Sequence, residues 1–111
     1  MSKKTNEELI TRILTDPKLK VIKAMLEKDH AIDCLFLLSM DKGRWKEAKA
    51  FMQKNGLTLS DGTFRARMIE IEHLGFATSI PIDPLKKHYK KNEKNEKLVK
   101  LLLELFEQIA K

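Results

Sequence analysis

Ser60-Asp61-Gly62-Thr63-Phe64-Arg65-Ala66-Arg67-Met68-Ile69-Glu70-Ile71-Glu72-His73-Leu74-Gly75-Phe76 carries a helix start, an apolar face and a helix stop in one run. Ser60 or Asp61 stands where an N-cap side chain accepts from a free backbone N–H, and Gly75 stands where a helix closes on a left-handed residue. The spacing between them predicts a helix reaching about Leu74. At roughly 100° per residue, Phe64, Met68 and Ile71 share one face and anchor that helix to a core. Gly62, Ala66 and Ile69 point away, and Gly62 and Ala66 are small. Arg65 and Arg67 flank the core face on opposite sides, with stems long enough to reach around it.

Upstream, a helix is expected from about Arg44 to Lys54, with Trp45, Ala48, Phe51 and Met52 on one side and Asn55-Gly56 as its stop. Leu57-Thr58-Leu59 then forms a short extended connection. Asp41-Lys42-Gly43 separates this helix from Ala31 to Met40, which is apolar on almost every side except Asp33 and Ser39. That is the pattern of a central helix covered by its neighbours. Asp16-Pro17 reads as an N-cap followed by proline at the first helical position, opening the stripe Leu19, Val21, Ile22, Met25 and Leu26, which ends near Lys28. Thr5 and Glu8 have capping-box spacing ahead of Leu9, Ile10, Ile13 and Leu14.

Downstream the period changes. Phe76 to Ile82 alternates as a strand does, Asp83-Pro84 makes a turn, and Leu85 to Lys91 returns as a second strand. Pro81 has no N–H to give a ladder, so the hairpin is short, irregular or an edge. Glu93 to Lys111 is expected as a helix in which Leu98, Leu102, Leu105 and Ile109 form a seam widened by Leu101 and Phe106.

This order of elements, with Thr63-Phe64-Arg65 and the ending Ile71-Glu72-His73-Leu74-Gly75-Phe76, resembles the winged helix-turn-helix regulators of the PadR-like and MarR-like kind. The resemblance covers the central and C-terminal two-thirds of the chain. It implies a mainly α winged helix-turn-helix domain with a small β-hairpin. Within the single domain 1–111, it assigns N-terminal helices to 1–28 and a helical core with the helix-turn-helix to 29–75. The wing is then 76–91 and a C-terminal dimerisation helix 93–111. It also implies sequence-specific binding to double-stranded DNA by a homodimeric transcriptional regulator. The recognition helix is 60–74, and its two copies stand about one DNA turn apart.

Composition agrees with an anionic partner. Lys and Arg number 22 against 16 Asp and Glu, a formal net charge of +6, and 34% of residues are charged. Such a bias also occurs in heat-adapted proteins for reasons of stability. The hydrophobic fraction of 42% is that of a globular chain. Cys34 is the single cysteine, which excludes an internal disulfide and a multi-thiolate zinc site. No apolar run reaches the ~18 residues of a membrane span. Residues 1–8 turn acidic where a signal peptide would become apolar, so a cytoplasmic location is expected. His30, His73 and His88 lack metal-ligand spacing. With no phosphate-binding glycine loop and no nucleophile elbow, neither a metal, a cofactor nor an enzyme is expected.

The candidate DNA-binding residues are Arg44, Lys46, Lys49, Ser60, Thr63, Arg65, Arg67, Lys86, Lys87, His88, Lys90 and Lys91. Ser60 and Thr63 lie at a helix N-terminus, whose positive end suits a phosphate. The wing lacks arginine, the better probe of the minor groove, so its lysines suit phosphates. Each has a plainer alternative: the arginines as solvated helix residues, the lysine run as a solvated face, Trp45 as a core or interface anchor. The rival from another class is a winged-helix protein–protein interaction module without DNA binding, resting on the apolar seam of Leu98, Leu101, Leu102, Leu105, Phe106 and Ile109.

Overall fold

Asp16, Ser60 and Asn92 each start a helix by capping it with a side-chain oxygen. The computed structural model describes the backbone from Lys3 to Lys111 and side chains from Asn6 onward. Helix α1 (Lys3–Thr15) begins upstream of Thr5, so the Thr5–Glu8 spacing does not start it; the Thr5 side chain lies outside the described residues. Asp16 Oδ1 accepts from the backbone N–H groups of Lys18 (2.9 Å) and Leu19 (3.3 Å), and Pro17 opens α2 (Pro17–Leu26). The others are α3 (Ala31–Ser39), α4 (Trp45–Lys54), α5 (Asp61–His73) and α6 (Glu93–Ala110). Ser60 Oγ accepts from Thr63 N–H at 3.1 Å to cap α5, and Gly75, at φ +89°, closes it.

The remaining elements are strands β1 (Ala77–Asp83) and β2 (Lys86–Lys91), which pair antiparallel. Their register runs from Ala77 opposite Lys91 to Pro81 opposite Lys87, and becomes irregular between Pro81 and Asp83. Proline in the ladder accounts for that irregularity, as expected. The described chain is thus mainly helical with a small two-stranded hairpin.

Helix α3 is the centre of the core. Ala31, Cys34, Leu35, Leu37 and Leu38 are buried there, under Phe64, Met68 and Ile71 of α5, Val99 of α6, Met25 of α2 and Tyr89 of β2. Burial pushes the Cys34 thiol up to about 12, Asp33 adding to the rise and Arg67 opposing it, so the sulfur stays protonated and unreactive.

The N-terminal helices do not both extend this core. Met25 and Leu26 of α2 join it, whereas Leu9, Ile10 and Leu14 of α1 remain exposed. Helix α1 lies against α2 and stands off the body. The radius of gyration, 15.5 Å, accordingly exceeds the roughly 13 Å of a compact domain of this length. Helix α6 divides along its length. Leu98 and Leu102 pack against the domain's own core and Phe106 meets Phe36 edge-on at 6.3 Å, while Leu101, Leu105 and Ile109 face outward. The expected intermolecular seam of Leu98, Leu102, Leu105 and Ile109 therefore loses its first half to intramolecular packing.

One backbone contact joins the hairpin to the helices. Tyr89 N–H donates to Gly43 C=O at 3.0 Å, between α3 and α4. A Cβ at Gly43 would lie 1.8 Å from the Tyr89 carbonyl oxygen, so no other residue fits without backbone movement. Gly43→Ala is expected to lower unfolding stability by about 1–3 kcal/mol or more through forced overpacking. Urea melts measure this, with Gly62→Ala as the control, since a Cβ at Gly62 meets nothing within 4 Å.

Candidate nucleic-acid interface

An open groove of about 740 Å³ runs between the start of α4, the outer side of α5 and the hairpin. Its floor is aromatic. Trp45 tilts against Phe64 with centroids 5.4 Å apart, and Phe64 meets Tyr89 edge-on at 6.5 Å. Tyr89 is held with its phenol pKa above the usual value, first by burial and then by Glu72, with Arg65 opposing, so it contributes a neutral ring. Ile69 of α5 and Ile82 and Leu85 of the hairpin add apolar walls.

Five cations, Arg44, Lys46, Arg65, Lys86 and Lys87, border the same groove together with Asp61 and Asp83. Both acids are engaged. Asp61 Oδ2 lies 3.4 Å from Arg65 Nη2, and Asp83 Oδ1 accepts from Leu85 N–H and Lys86 N–H, each at 2.8 Å. Arg44 Nε lies 3.8 Å from Glu47, too far for a hydrogen bond, and is itself buried without a hydrogen-bond partner among the described residues. Lys46, Lys86 and Lys87 make no ion pair among the described residues. The groove therefore keeps a positive surplus beside an apolar lining.

The structure separates residues that are adjacent in sequence. Strand alternation puts Lys87, Tyr89 and Lys91 on the side facing the helices and His88 and Lys90 on the other, opposite Ile80 and Thr78. Lys91 points inward: its Nζ donates to Ser39 C=O at 3.3 Å and lies 3.8 Å from Asp41 and 3.7 Å from Glu96. Arg65 and Arg67 part in the same way. Arg65 is half-exposed at the groove, while the Arg67 side chain is 16% exposed and sits 3.0 Å from Glu70. Lys28 joins Glu70 from the far side at 2.9 Å, so Arg67 belongs to a tie between α5 and the chain after α2.

Ser60 and Thr63 are at the N-terminus of α5 but their hydroxyls are bonded to each other at 2.9 Å. Asp61 adds a carboxylate to that turn, which offsets its attraction for a phosphate. Lys49 is exposed on α4 outside the groove lining. Sequence reasoning overlooked Gly43, the pairing of Phe64 with Tyr89, and the apolar hairpin residues Ile82 and Leu85. The alternation Ile80, Ile82 and the isolated Leu85 after Pro84 were the available signal for the last.

A second groove, about 340 Å³ and almost wholly apolar, lies between α3, α4 and α6 and includes Phe36, Met40, Phe51 and Leu103. Among the described residues no group of three His, Cys, Asp or Glu is placed to hold a metal, and no helix is long and apolar enough to cross a membrane. No protein-family model, curated protein or solved structure matches the chain.

Neighbouring lysines should thus respond differently to the same change. Lys91→Gln is expected to lower the melting temperature by loosening β2 from α3 and α6, a loss of about 1 kcal/mol. Lys87→Gln should leave the melt within about 0.5 kcal/mol of wild type, as surface substitutions usually do. Paired thermal melts decide it; equal effects would mean that the two lysines are in equivalent surroundings.

Proposed function

We propose that this protein binds duplex DNA through the groove between α5 and the hairpin, as a winged helix-turn-helix transcriptional regulator acting as a homodimer. The observation that carries the reading is the convergence of Arg44, Lys46, Arg65, Lys86 and Lys87, from three separate elements, on one open surface. Cations drawn from α4, α5 and a hairpin match the spaced phosphates of a duplex better than a compact anion.

In this reading α5 enters the major groove. Gly62 and Ala66 allow close approach, Arg65 reaches guanine N7 and O6, and Ile69 meets a thymine methyl. Binding exchanges Asp61 for a base edge as the partner of Arg65. Lys46 and Lys49 contact phosphates on one side of α5, and Lys86, Lys87 and Lys90 on the hairpin side. Arg67 and Lys91 act through the fold, as positioning residues. The exposed apolar faces of α1 (Leu9, Ile10, Leu14) and of the outer part of α6 (Leu101, Leu105, Ile109) supply the dimer contact. Two linked recognition helices then read a two-fold site with far greater avidity than one.

A second reading, a protein-interaction module, is favoured by the apolar walls of the groove, Ile69, Ile82 and Leu85. Salt separates the two. Duplex binding gives a log affinity that falls linearly with log salt, by about 0.9 per neutralised phosphate, whereas apolar docking barely responds. Titration of labelled duplex from around the protein's own coding sequence, with random duplex as competitor, provides the test. Replacing Lys86, Lys87 and Lys90 together by Gln should flatten the slope by about 0.9 for each lysine that engages. Arg65→Ala should cost about 1–3 kcal/mol of discrimination against random duplex. A salt-independent affinity, or an unchanged slope in the lysine variant, contradicts the proposal.

A further inference from the structure

The hairpin tip carries an apolar residue where the charges around it call for none. Leu85 is 82% exposed, more than any other large apolar side chain among the described residues, and Ile82 beside it is 46% exposed. Burial in the domain does not account for either. The tip is also stiff. Pro84 fixes its own φ, and Asp83 Oδ1 holds the next two backbone N–H groups at 2.8 Å each. A short, rigid projection ending in leucine is flanked directly by Lys86 and Lys87.

From this arrangement we infer that Leu85 is a wedge, which enters the minor groove beside the α5 site, unstacks one base step and bends the duplex. The inference rests on the DNA-binding reading and goes beyond it, since phosphate contact by the lysines requires neither unstacking nor a bend. Charge selects the occupant. An apolar tip inside a border of Arg44, Lys46, Arg65, Lys86 and Lys87 fits a surface that is anionic outside and apolar within. A base stack behind its phosphates is such a surface. Leucine, isoleucine and proline are side chains that partly unstack a step and kink DNA toward the major groove. Pyrimidine–purine steps such as TA open with least resistance, so the wedge also selects sequence at a position with no hydrogen-bonded base contact. The opened step exposes apolar base faces to the tip while Lys86 and Lys87 contact the phosphates flanking the widened minor groove, and these contacts offset the cost of unstacking.

The test uses a duplex of about 30 base pairs with a central TA step, its adenine replaced by 2-aminopurine and its ends carrying a donor and an acceptor dye. Wild-type protein at low salt should raise 2-aminopurine emission roughly twofold or more as the step unstacks, and should raise energy transfer as the ends approach. Leu85→Ala should still bind, weakened by no more than about tenfold, yet leave both signals near those of free DNA. Leu85→Phe, which restores an apolar wedge, should restore both. Binding by wild type with neither signal changed, or identical signals from Leu85→Ala, overturns the wedge and leaves DNA binding standing. Absence of salt-dependent binding by all three proteins overturns the DNA-binding reading together with the wedge. If, in that case, light scattering shows that Leu85→Ala abolishes self-association, the tip belongs to a protein contact.

Discussion

The hydrogen bond from Tyr89 N–H to Gly43 C=O is the constraint on which the geometry of this protein depends. A two-stranded hairpin has little stability of its own and needs a packed face to hold it. Here one side is held by the Tyr89 ring against Phe64, and the backbone is held by Gly43, at a distance that excludes any side chain. Because Gly43 lies just before α4 and Phe64 lies in α5, this one junction sets the hairpin at a defined angle to both helices. The groove is the space that remains between them. Ser79 reinforces the arrangement by donating its hydroxyl to Glu72 near the end of α5, and Asn92 Nδ2 does so from the end of β2 by donating to Gly75 C=O at 2.8 Å.

Charge on this framework is sorted by structural role. Arg67 and Lys91 are spent on internal ties, to Glu70 and to the end of α3. Arg65, Lys46, Lys86 and Lys87 remain at the groove, and Lys90 on the outer strand face. Exposed pairs such as Arg65 with Asp61 contribute little to stability, typically below about 1 kcal/mol, so exchanging a carboxylate for another anion is inexpensive. The half-buried Arg67–Glu70 pair is different: separating it leaves poorly solvated charge on both sides. A count of basic residues therefore overstates the surface available to a polyanion, and the spatial sorting is what gives it direction.

Much of the fold was legible because its signals are local. Asp16-Pro17, Ser60 and Gly75 mark helix ends through contacts within a few residues, and Phe64, Met68 and Ile71 declared the buried face of α5 by spacing alone. The apolar run of α3 likewise announced a covered helix. The site was less legible. Lys86 to Lys91 reads as one tract, and only the register of Tyr89 against Ser79 shows that alternate members face opposite ways. The stripe of α1 has the same spacing whether it covers a core or faces outward, and the structure leaves Leu9, Ile10 and Leu14 exposed. Leu98 and Leu102 pose the converse problem: a seam suited to a partner helix is equally suited to α3. Long-range packing decides such cases, and period carries no information about it.

On the proposed function, the groove between α5 and the hairpin is the face that meets duplex DNA. The most direct measurement is an amide NMR titration of the isotopically labelled protein with duplex at low salt. Shifts should concentrate at residues 44–49, 60–69 and 84–90, and fade as salt is added, while residues 9–14 and 101–109 stay unmoved. Shifts confined to α1 and α6, or no shifts at all, would contradict it.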